Sequence, residues 1–336
     1  MKTQKSNNLF SISFTLILLF GSIILFGYTY QNYSIKDLKQ GLQQAHLKWI
    51  IFAMIAHLIN HSYRAYRWGF MLEKQHAHPT WVQTFTAEMS GFFVNALGLR
   101  LGEFVRCQRL QKMQNIPLQK SLATVIIERI VDLFFFCVIC VFIVILFSAK
   151  VRQITSHILH NITISHSPRN LGIMICFLPL CFALFKKFET QITQFIKGIL
   201  YNIKLAYKAN TPFFWTVTLF IWIFYFLLEY ISLYALDSTG TLAQTEGIFA
   251  GIILFVILNI SHIIPVSNGV GIYHLLVISA LTYYNVPRKD AQTYALITHG
   301  IQTFNAFFWG GLCFIYTYFA TPKRHTTRSP SHHPSN

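Results

Sequence analysis

The residues best suited to chemistry in this sequence are acidic and basic side chains within long apolar stretches. Glu128 and Asp132 are four residues apart, so a helix places both carboxylates on one face, about 6 Å apart. Two such carboxylates repel each other unless a cation lies between them or one of them holds a proton. An ionisable side chain at the centre of a membrane helix costs roughly 2.5–3.5 kcal/mol, so these residues are expected to pair or to line a polar path.

A charged motif upstream supplies candidate partners for these carboxylates. Glu103 stands three residues from both Arg100 and Arg106, so on a helix the three form one charged stripe. Guanidinium groups bind phosphate through two parallel hydrogen bonds, and with Arg129 these arginines predict a phosphate site. Two alternatives stay open. In the first, the charges form a salt-bridge cluster that only holds two segments together. In the second, the motif is an amphipathic turn at the membrane surface that contacts anionic lipid.

A glycine-rich break interrupts a later apolar stretch at Pro265-Val266-Ser267-Asn268-Gly269-Val270-Gly271. A helix that begins near Ser267 or Gly271 would present the positive end of its dipole to an anion. Polar side chains that follow the break would face the same region: His274, His299 and Gln302. The alternative is an ordinary loop between two helices.

Other patterns give weaker signals. His57 and His61 have a spacing found in metal sites, but no convergent carboxylate or cysteine accompanies them, so no metal is predicted. Basic and aromatic residues just beyond them predict an interfacial anchor at the end of a helix: Arg64, Arg67 and Trp68. Glu229 lies in an apolar segment and needs a partner that the sequence does not identify. No nucleotide-binding or hydrolase motif is present, and no cofactor is expected.

Composition decides the class of protein that must position these residues. Of 336 residues, 54% are apolar and only 11% are charged, whereas soluble domains carry about 25% charged residues. Several apolar runs reach the ~20 residues that a helix needs to cross a hydrocarbon core. A soluble enzyme, a disulfide scaffold and a disordered chain are therefore excluded. The sequence predicts an all-α polytopic membrane protein.

Strong spanning segments are predicted at about 10–29, 47–63, 119–148, 170–186, 213–236 and 292–320. Two further apolar stretches, 81–109 and 248–284, are interrupted by glycine, proline or charged residues. Each is either a pair of short helices or a re-entrant hairpin, since irregular backbone at membrane depth is tolerated only inside protein or beside a wet cavity. The fold class is therefore six to eight transmembrane helices with two broken hairpins.

An internal repeat is the second architectural prediction. Asn115-Ile116-Pro117 is matched 170 residues later by Asn285-Val286-Pro287. Polar residues recur at equal offsets beyond the two motifs: Glu128, Arg129 and Asp132, then Thr298, His299 and Gln302. Three spans per half give halves of opposite orientation, about 10–150 and 165–320, whose broken segments would form a site near the midplane. Chance similarity between apolar helices is the alternative.

The net charge of +16 comes from 27 Lys+Arg and 11 Asp+Glu. The basic residues lie in short loops beside apolar runs, which is the positive-inside pattern, and no nucleic-acid partner is expected. The basic loops predict that both termini are cytoplasmic and that the acidic segment 237–246 is outside. The loop with Lys36 and Lys39 fits this orientation poorly. Residues 1–320 form one domain, the first apolar stretch is a retained helix, and 321–336 is a disordered tail.

At these motifs the sequence resembles the lysylphosphatidylglycerol synthase transmembrane region, also called the flippase-like family. The resemblance rests on the charged motif at 100–106, on Glu128-Arg129-x-x-Asp132 and on the glycine-rich break at 265–271. It covers about residues 10–320. The sequence departs from the family pattern at Gly98, where a proline is common, and at His274, where an acidic residue often stands.

The resemblance implies a multi-pass protein of the inner (plasma) membrane. In bifunctional members this region moves aminoacylated phosphatidylglycerol between leaflets, while a soluble domain makes that lipid. Other members are linked to glycolipids, polyisoprenoid-linked sugars or hopanoid-type lipids. The present sequence contains no such synthase domain, so aminoacyl transfer is not expected from it.

The sequence thus predicts a lipid translocase for an anionic phospholipid, aminoacyl-lipid or glycolipid, working without ATP hydrolysis. The predicted phosphate ligands are Arg100, Arg106, Arg129, Ser267, Asn268, Gly269 and Gly271. The groups predicted to orient them or to relay charge are Glu103, Glu128, Asp132, His274, His299 and Gln302. The expected partners are membrane lipids, with lipid-biosynthesis enzymes and a second copy of the chain left open. The alternative is an accessory subunit or a membrane-embedded enzyme of lipid or lipid-linked sugar biosynthesis that uses two carboxylates as acid and base.

Overall fold

The computed structural model describes residues 20–98, 101–165, 211–263 and 269–319. Every regular element in these ranges is helical, and no strand occurs among them, so the all-α prediction is confirmed. The predicted span at 170–186, the tail at 321–336 and three predicted ligands, Arg100, Ser267 and Asn268, lie outside the described residues.

The helices follow one another in this order: α1 (Phe20–Thr29), α2 (Ile35–Gln43), α3 (Leu47–Glu73), α4 (Trp81–Ala96), α5 (Gly102–Gln114), α6 (Leu118–Ser165), α7 (Pro212–Ser232), α8 (Asp237–Thr245), α9 (Ile248–Ile263), α10 (Ile272–Tyr283), α11 (Arg288–Asn305) and α12 (Gly311–Phe319). A 3₁₀ turn, Leu233–Ala235, extends α7. A π-helical turn, Ala306–Gly310, joins α11 to α12.

Two of the described helices are long and apolar enough to cross a membrane. They are Leu118–Ile158, with 41 residues and a mean hydropathy of 3.2, and Pro212–Ala235, with 24 residues and a mean hydropathy of 1.8. Together α8 and α9 form a third candidate, bent by 115°. The 27 residues of α3 span about 40 Å, but this helix is less apolar because it carries arginine, histidine and asparagine side chains.

The first interrupted stretch is a tight hairpin of α4 and α5. Gly98 turns the chain with a φ of +83°, and the amide of Gly102 donates to Asn95 Oδ1 at 2.8 Å. A Cβ atom added to Gly91 would lie 2.5 Å from the carbonyl oxygen of Gly102, so the two backbones touch. The 16 residues of α4 reach only about 24 Å, less than the ~30 Å hydrocarbon core. This stretch is therefore a pair of short helices.

The second interrupted stretch is the pair α9 and α10. Gly269 and Gly271, with φ values of +72° and +85°, stand directly before α10. Helix α1 crosses here, because a Cβ atom on Gly271 would lie 3.0 Å from the carbonyl oxygen of Ser22. Both interrupted stretches thus turn on glycines in the left-handed region, which other residues rarely adopt.

The two Asn-x-Pro motifs adopt the same backbone conformation. Asn115 and Asn285 are both left-handed, with φ values of +55° and +60°. Each follows the end of the second helix of an interrupted stretch, and each is followed by the proline that precedes the next helix. Asparagine is the usual alternative to glycine in this position. The motif is therefore a helix stop and restart in both places.

The centre of the molecule is formed by α3 and α7, which pack along each other. The α4–α5 hairpin packs against α3 and α12, and the α9–α10 pair packs against α7 and α6. Each broken pair therefore contacts a helix from the other part of the chain. For the α4–α5 hairpin this is α12, which continues α11 through the π-helical turn as one long helix, and for the α9–α10 pair it is α6.

Polar contacts between helix ends define two opposite ends of the molecule. At one end His46 contacts Asp237 at 2.7 Å and Lys150 contacts Glu246 at 2.8 Å. Lys289 also pairs with Asp37 there, and its hydrogen bond holds the pKa of that carboxyl below its ordinary value. At the other end Lys120 Nζ donates to the carbonyl of Gln75 at 2.6 Å. These two groups of polar contacts lie at opposite ends of α3.

Candidate functional site

Charged side chains from four helices form one cluster in the interior. Its members are Arg64 and Arg67 on α3, Glu88 on α4, Glu103 and Arg106 on α5, and Glu128, Arg129 and Asp132 on α6. Four arginines face four carboxylates, so the formal charges cancel. Several of these side chains are buried, and burial of ions is tolerated when each ion is paired and hydrogen-bonded.

Arg67 is the cation between Glu128 and Asp132. Its Nη2 atom lies 3.1 Å from Glu128 Oε1, and its Nη1 atom lies 2.8 Å from Asp132 Oδ1. The interpretation of Arg67 and Trp68 as interfacial anchors is therefore wrong. Their exposures are 1% and 0%, because α3 continues to Glu73 and carries both side chains into the interior.

The second oxygen of Glu128 is held by Arg106. Arg106 Nη2 donates to Glu128 Oε2 at 2.9 Å, and the same nitrogen lies 2.7 Å from Glu103 Oε2. The Arg106 guanidinium also lies over the ring of Trp68, 4.8 Å from its centroid, which adds a cation–π contact. Glu128 is fully buried. Through these two guanidinium groups it connects its own helix, α6, to α3 and α5.

Arg64 connects the cluster to α4 and α7. Its Nε atom donates to Glu88 Oε1 at 2.6 Å, and its Nη1 atom donates to the hydroxyl of Tyr225 at 2.6 Å. His61 Nδ1 lies 3.5 Å from the same Glu88 oxygen. Glu88 is thus placed between an arginine and an imidazole at the centre of the molecule.

The rim of the cluster, formed by the ion pair of Arg129 and Glu103, is exposed. Arg129 Nη2 contacts Glu103 Oε1 at 2.8 Å, and the two side chains are 42% and 41% exposed. An exposed ion pair of this kind contributes little stability, about 0–1 kcal/mol. The rim pair therefore separates far more easily than the buried pairs of Glu128.

A cavity of about 370 Å³ lies against the cluster. Its polar lining contains six of the cluster's side chains together with further polar groups on α3, α4, α7, α9 and α11: His57, His61, Asn95, Tyr225, Asn259, His262 and Gln302. Its apolar wall is formed by Phe92, Leu133, Phe136, Trp222, Leu228 and Leu258. Both interrupted stretches reach this one cavity, the first through α4 and α5 and the second through α9.

Several buried polar atoms at this cavity have no hydrogen-bond partner. They are Arg106 Nε, Trp222 Nε1 and His57 Nδ1. Arg106 Nη1 and Glu88 Oε2 also form no hydrogen bond, but they lie 3.6 Å apart as an ion pair. Buried polar atoms in native proteins are nearly always satisfied by protein, water or a ligand, so the three unbonded atoms are available to a polar group in the cavity. Among the described residues, no group of His, Cys, Asp and Glu is arranged to hold a metal ion.

The structure brings only part of the predicted site together. Glu103, Arg106, Arg129, Asp132 and Gln302 line the cavity, and Glu128 lies behind them.

Gly269 and Gly271 stand at the start of α10, and the Gly271 amide donates to His274 Nδ1 at 3.4 Å. The rings of His274 and His299 lie 4.9 Å apart and outside the cavity wall, beside α1.

Sequence reasoning missed Arg64, Arg67, Glu88 and Tyr225 as members of the cluster. A signal was present, since His57, His61, Arg64 and Trp68 follow spacings of four, three and four, which place them on one face of a helix. Glu88 is likewise an ionisable residue inside an apolar stretch. Because α3 was predicted to end near residue 63, neither Arg64 nor a partner for Glu88 was placed in the interior.

The helices and apolar spans define an all-α membrane protein. Residues 11–310 match the family described as the lysylphosphatidylglycerol synthase transmembrane region. The chain belongs to this family, so the resemblance is confirmed and the protein is a membrane protein with a lipid-related function. No curated protein and no solved structure matches the chain.

Proposed function

We propose that the protein is a lipid translocase, in which a phospholipid headgroup passes through the cavity between the two broken helix pairs. The observation that carries this proposal is the lining of the cavity. The lining combines arginines and unbonded hydrogen-bond donors with apolar and aromatic side chains. A phospholipid presents the same two surfaces. No nucleotide-binding motif occurs in the sequence, so the movement is passive or coupled to an ion gradient.

The phosphate group is bound by Arg106 and Arg129 in this proposal. Arg106 Nε forms no hydrogen bond, its Nη1 atom is held only by a 3.6 Å ion pair with Glu88, and Arg129 is 42% exposed. Because four carboxylates already balance the arginines, an incoming phosphate must compete with Glu103 for Arg129. Binding therefore opens the rim pair while Arg67 continues to hold Glu128 and Asp132. Charge-assisted, bidentate hydrogen bonds make arginine the best competitor for phosphate.

The architecture that supports this function is an inverted repeat of six to eight transmembrane helices, with halves at about 10–150 and 165–320. Three features favour it. Asn115 and Asn285 share one conformation 170 residues apart. Both broken pairs turn on glycines in the left-handed region. Each broken pair packs against a long helix of the other half, as expected for sites at the interface of such repeats.

The orientation proposed is an inner-membrane protein with both termini in the cytoplasm. The contacts at helix ends support this arrangement. Residues predicted outside lie together at one end, including His46, Asp237 and Glu246, and Lys120 lies at the other end. The partners proposed are membrane lipids, with enzymes of lipid biosynthesis as suppliers.

The alternative of a membrane-embedded enzyme that uses Glu128 and Asp132 as acid and base is less well supported. Both carboxylates accept hydrogen bonds from Arg67, so their oxygens are already engaged by a guanidinium group and not directed at a substrate.

The experiment is leaflet exchange of labelled lipids in liposomes that contain the purified protein. A panel of headgroups with and without a phosphate is compared for wild type and Arg129→Gln, with Arg152→Gln, an exposed arginine on the same helix, as the control. We expect exchange of phosphate-bearing lipids to fall about tenfold in Arg129→Gln, the equivalent of ~1.4 kcal/mol. Absence of exchange for every lipid by the folded wild type would contradict the proposal, and a new lipid product would favour the enzyme.

A further inference from the structure

Glu229 is a buried acid that the charged cluster does not use. It lies on α7, one turn beyond Tyr225, and its side chain is 1% exposed. Its Oε2 atom has no hydrogen-bond partner. Within the described ranges no arginine, lysine or histidine forms an ion pair with it. In contrast, each of the four carboxylates of the cluster has an arginine within ion-pair distance.

An ionised carboxylate is not tolerated in such a place. Transfer of an unpaired charge into an apolar interior costs so much that the group exchanges its charge for a proton instead. The protonated acid also needs only hydrogen-bond partners, which neutral hydroxyl groups can supply. Glu229 is therefore a carboxylic acid at rest, whereas the four acids of the cluster are carboxylates.

The surroundings of Glu229 are titratable and not permanently charged. Tyr273 on α10 and Tyr294 on α11 lie within electrostatic range of its carboxyl group. Tyr273 donates to Thr298 Oγ1 at 2.8 Å, and its ring lies 5.8 Å from that of His299. On the helices packed against α7, further titratable or charged residues are His57, His61, Arg64 and Arg67 on α3 and His262 on α9. The arginines among them are already bonded to the cluster.

We infer that Glu229 is a proton-binding site, separate from the charged cluster, through which lipid movement is coupled to a proton gradient. When the proton leaves, Glu229 becomes a carboxylate and the proton is released to water on the side of the membrane with the lower proton concentration. The coupling, though not the proton site itself, rests on the proposed translocase function.

Infrared difference spectroscopy tests the proton site without any transport assay. The full chain in vesicles at neutral pH is compared with Glu229→Gln, and Glu73→Gln, which removes an exposed carboxylate at the end of α3, is the control. We expect the carbonyl stretch of a protonated acid in the wild type, its loss in Glu229→Gln and no change in Glu73→Gln. If Glu229→Gln does not fold, a shift of the same band in Glu229→Asp assigns it. A wild type without this band has an ionised Glu229, which overturns the inference.

Lipid exchange with and without a pH gradient tests the coupling. We expect the gradient to change the exchange rate of the wild type several-fold, and the ratio of the two rates to fall to one in Glu229→Gln. Equal rates of wild-type lipid exchange with and without the pH gradient would overturn the coupling. If no lipid moves under any condition, the translocase proposal fails, and the infrared band still decides whether Glu229 binds a proton.

Discussion

Arg67 is the cation that holds Glu128 and Asp132 side by side. Its two terminal nitrogens bridge the carboxylates, and Glu128 is fully buried. The spacing of the two acids in the sequence required either a cation or a proton. It did not identify the cation, because the arginine comes from a helix more than fifty residues earlier in the chain.

Substitution of Arg67 by Gln should therefore be strongly destabilising. It removes the cation that lies between the two carboxylates and leaves the buried Glu128 with Arg106 as its remaining close partner. Loss of one partner of a buried pair costs about 3–5 kcal/mol. The free energy of unfolding in detergent measures this, with Arg152→Gln as a control expected to stay within about 0.5 kcal/mol.

Addition of Asp132→Asn to the Arg67→Gln variant should recover part of the loss, because one of the two repelling charges is then gone. A loss that is unchanged in the double variant would show that Arg67 acts through its packing instead.

At the scale of elements, close backbone contact holds the α4–α5 hairpin in shape. The charged motif at its turn was recognised in the sequence, and the interruption by Gly98 was expected to break the helix. The contact between Gly91 and Gly102 was not foreseeable, because it depends on where two helices cross and not on either sequence alone. It brings Glu88 and Arg106 to the same cavity.

Gly91→Ala should open this hairpin. The added Cβ would lie 2.5 Å from the carbonyl oxygen of Gly102, and backbone cannot move aside as a side chain can. We expect a loss of about 1–3 kcal/mol in the free energy of unfolding, typical of overpacking. Gly300→Ala on α11 is the matched control, since nothing lies within 4 Å of its added Cβ.

An equal melting temperature for the two alanine variants would mean that the backbones of α4 and α5 do not touch.

At the scale of the whole molecule, hydropathy and charge gave the class of protein, and the family match agrees with it. The order of the apolar segments was predictable because each one is a local property of the sequence. The packing of each broken helix pair against a helix from the other part of the chain is a tertiary property, which no local pattern in the sequence identifies.

Cysteine labelling tests the proposed orientation. In a variant whose six cysteines are replaced by serine, Thr241→Cys and Lys112→Cys place one exposed thiol at each end of the molecule. An impermeant maleimide added to intact cells should label position 241 only, and position 112 should react after permeabilisation. The reverse pattern would invert the topology.

A lipid path through the cavity is tested most directly by measuring lipid exchange in a variant whose cavity is blocked. Leu133 lines the cavity at its open side and is 54% exposed, whereas its neighbour Phe134, 60% exposed, does not line the cavity. Lipid exchange is compared for wild type, Leu133→Trp and Phe134→Trp in liposomes that contain equal amounts of folded protein. We expect Phe134→Trp to match the wild type and Leu133→Trp to lose most of the exchange. Equal exchange by all three proteins would contradict a path through the cavity.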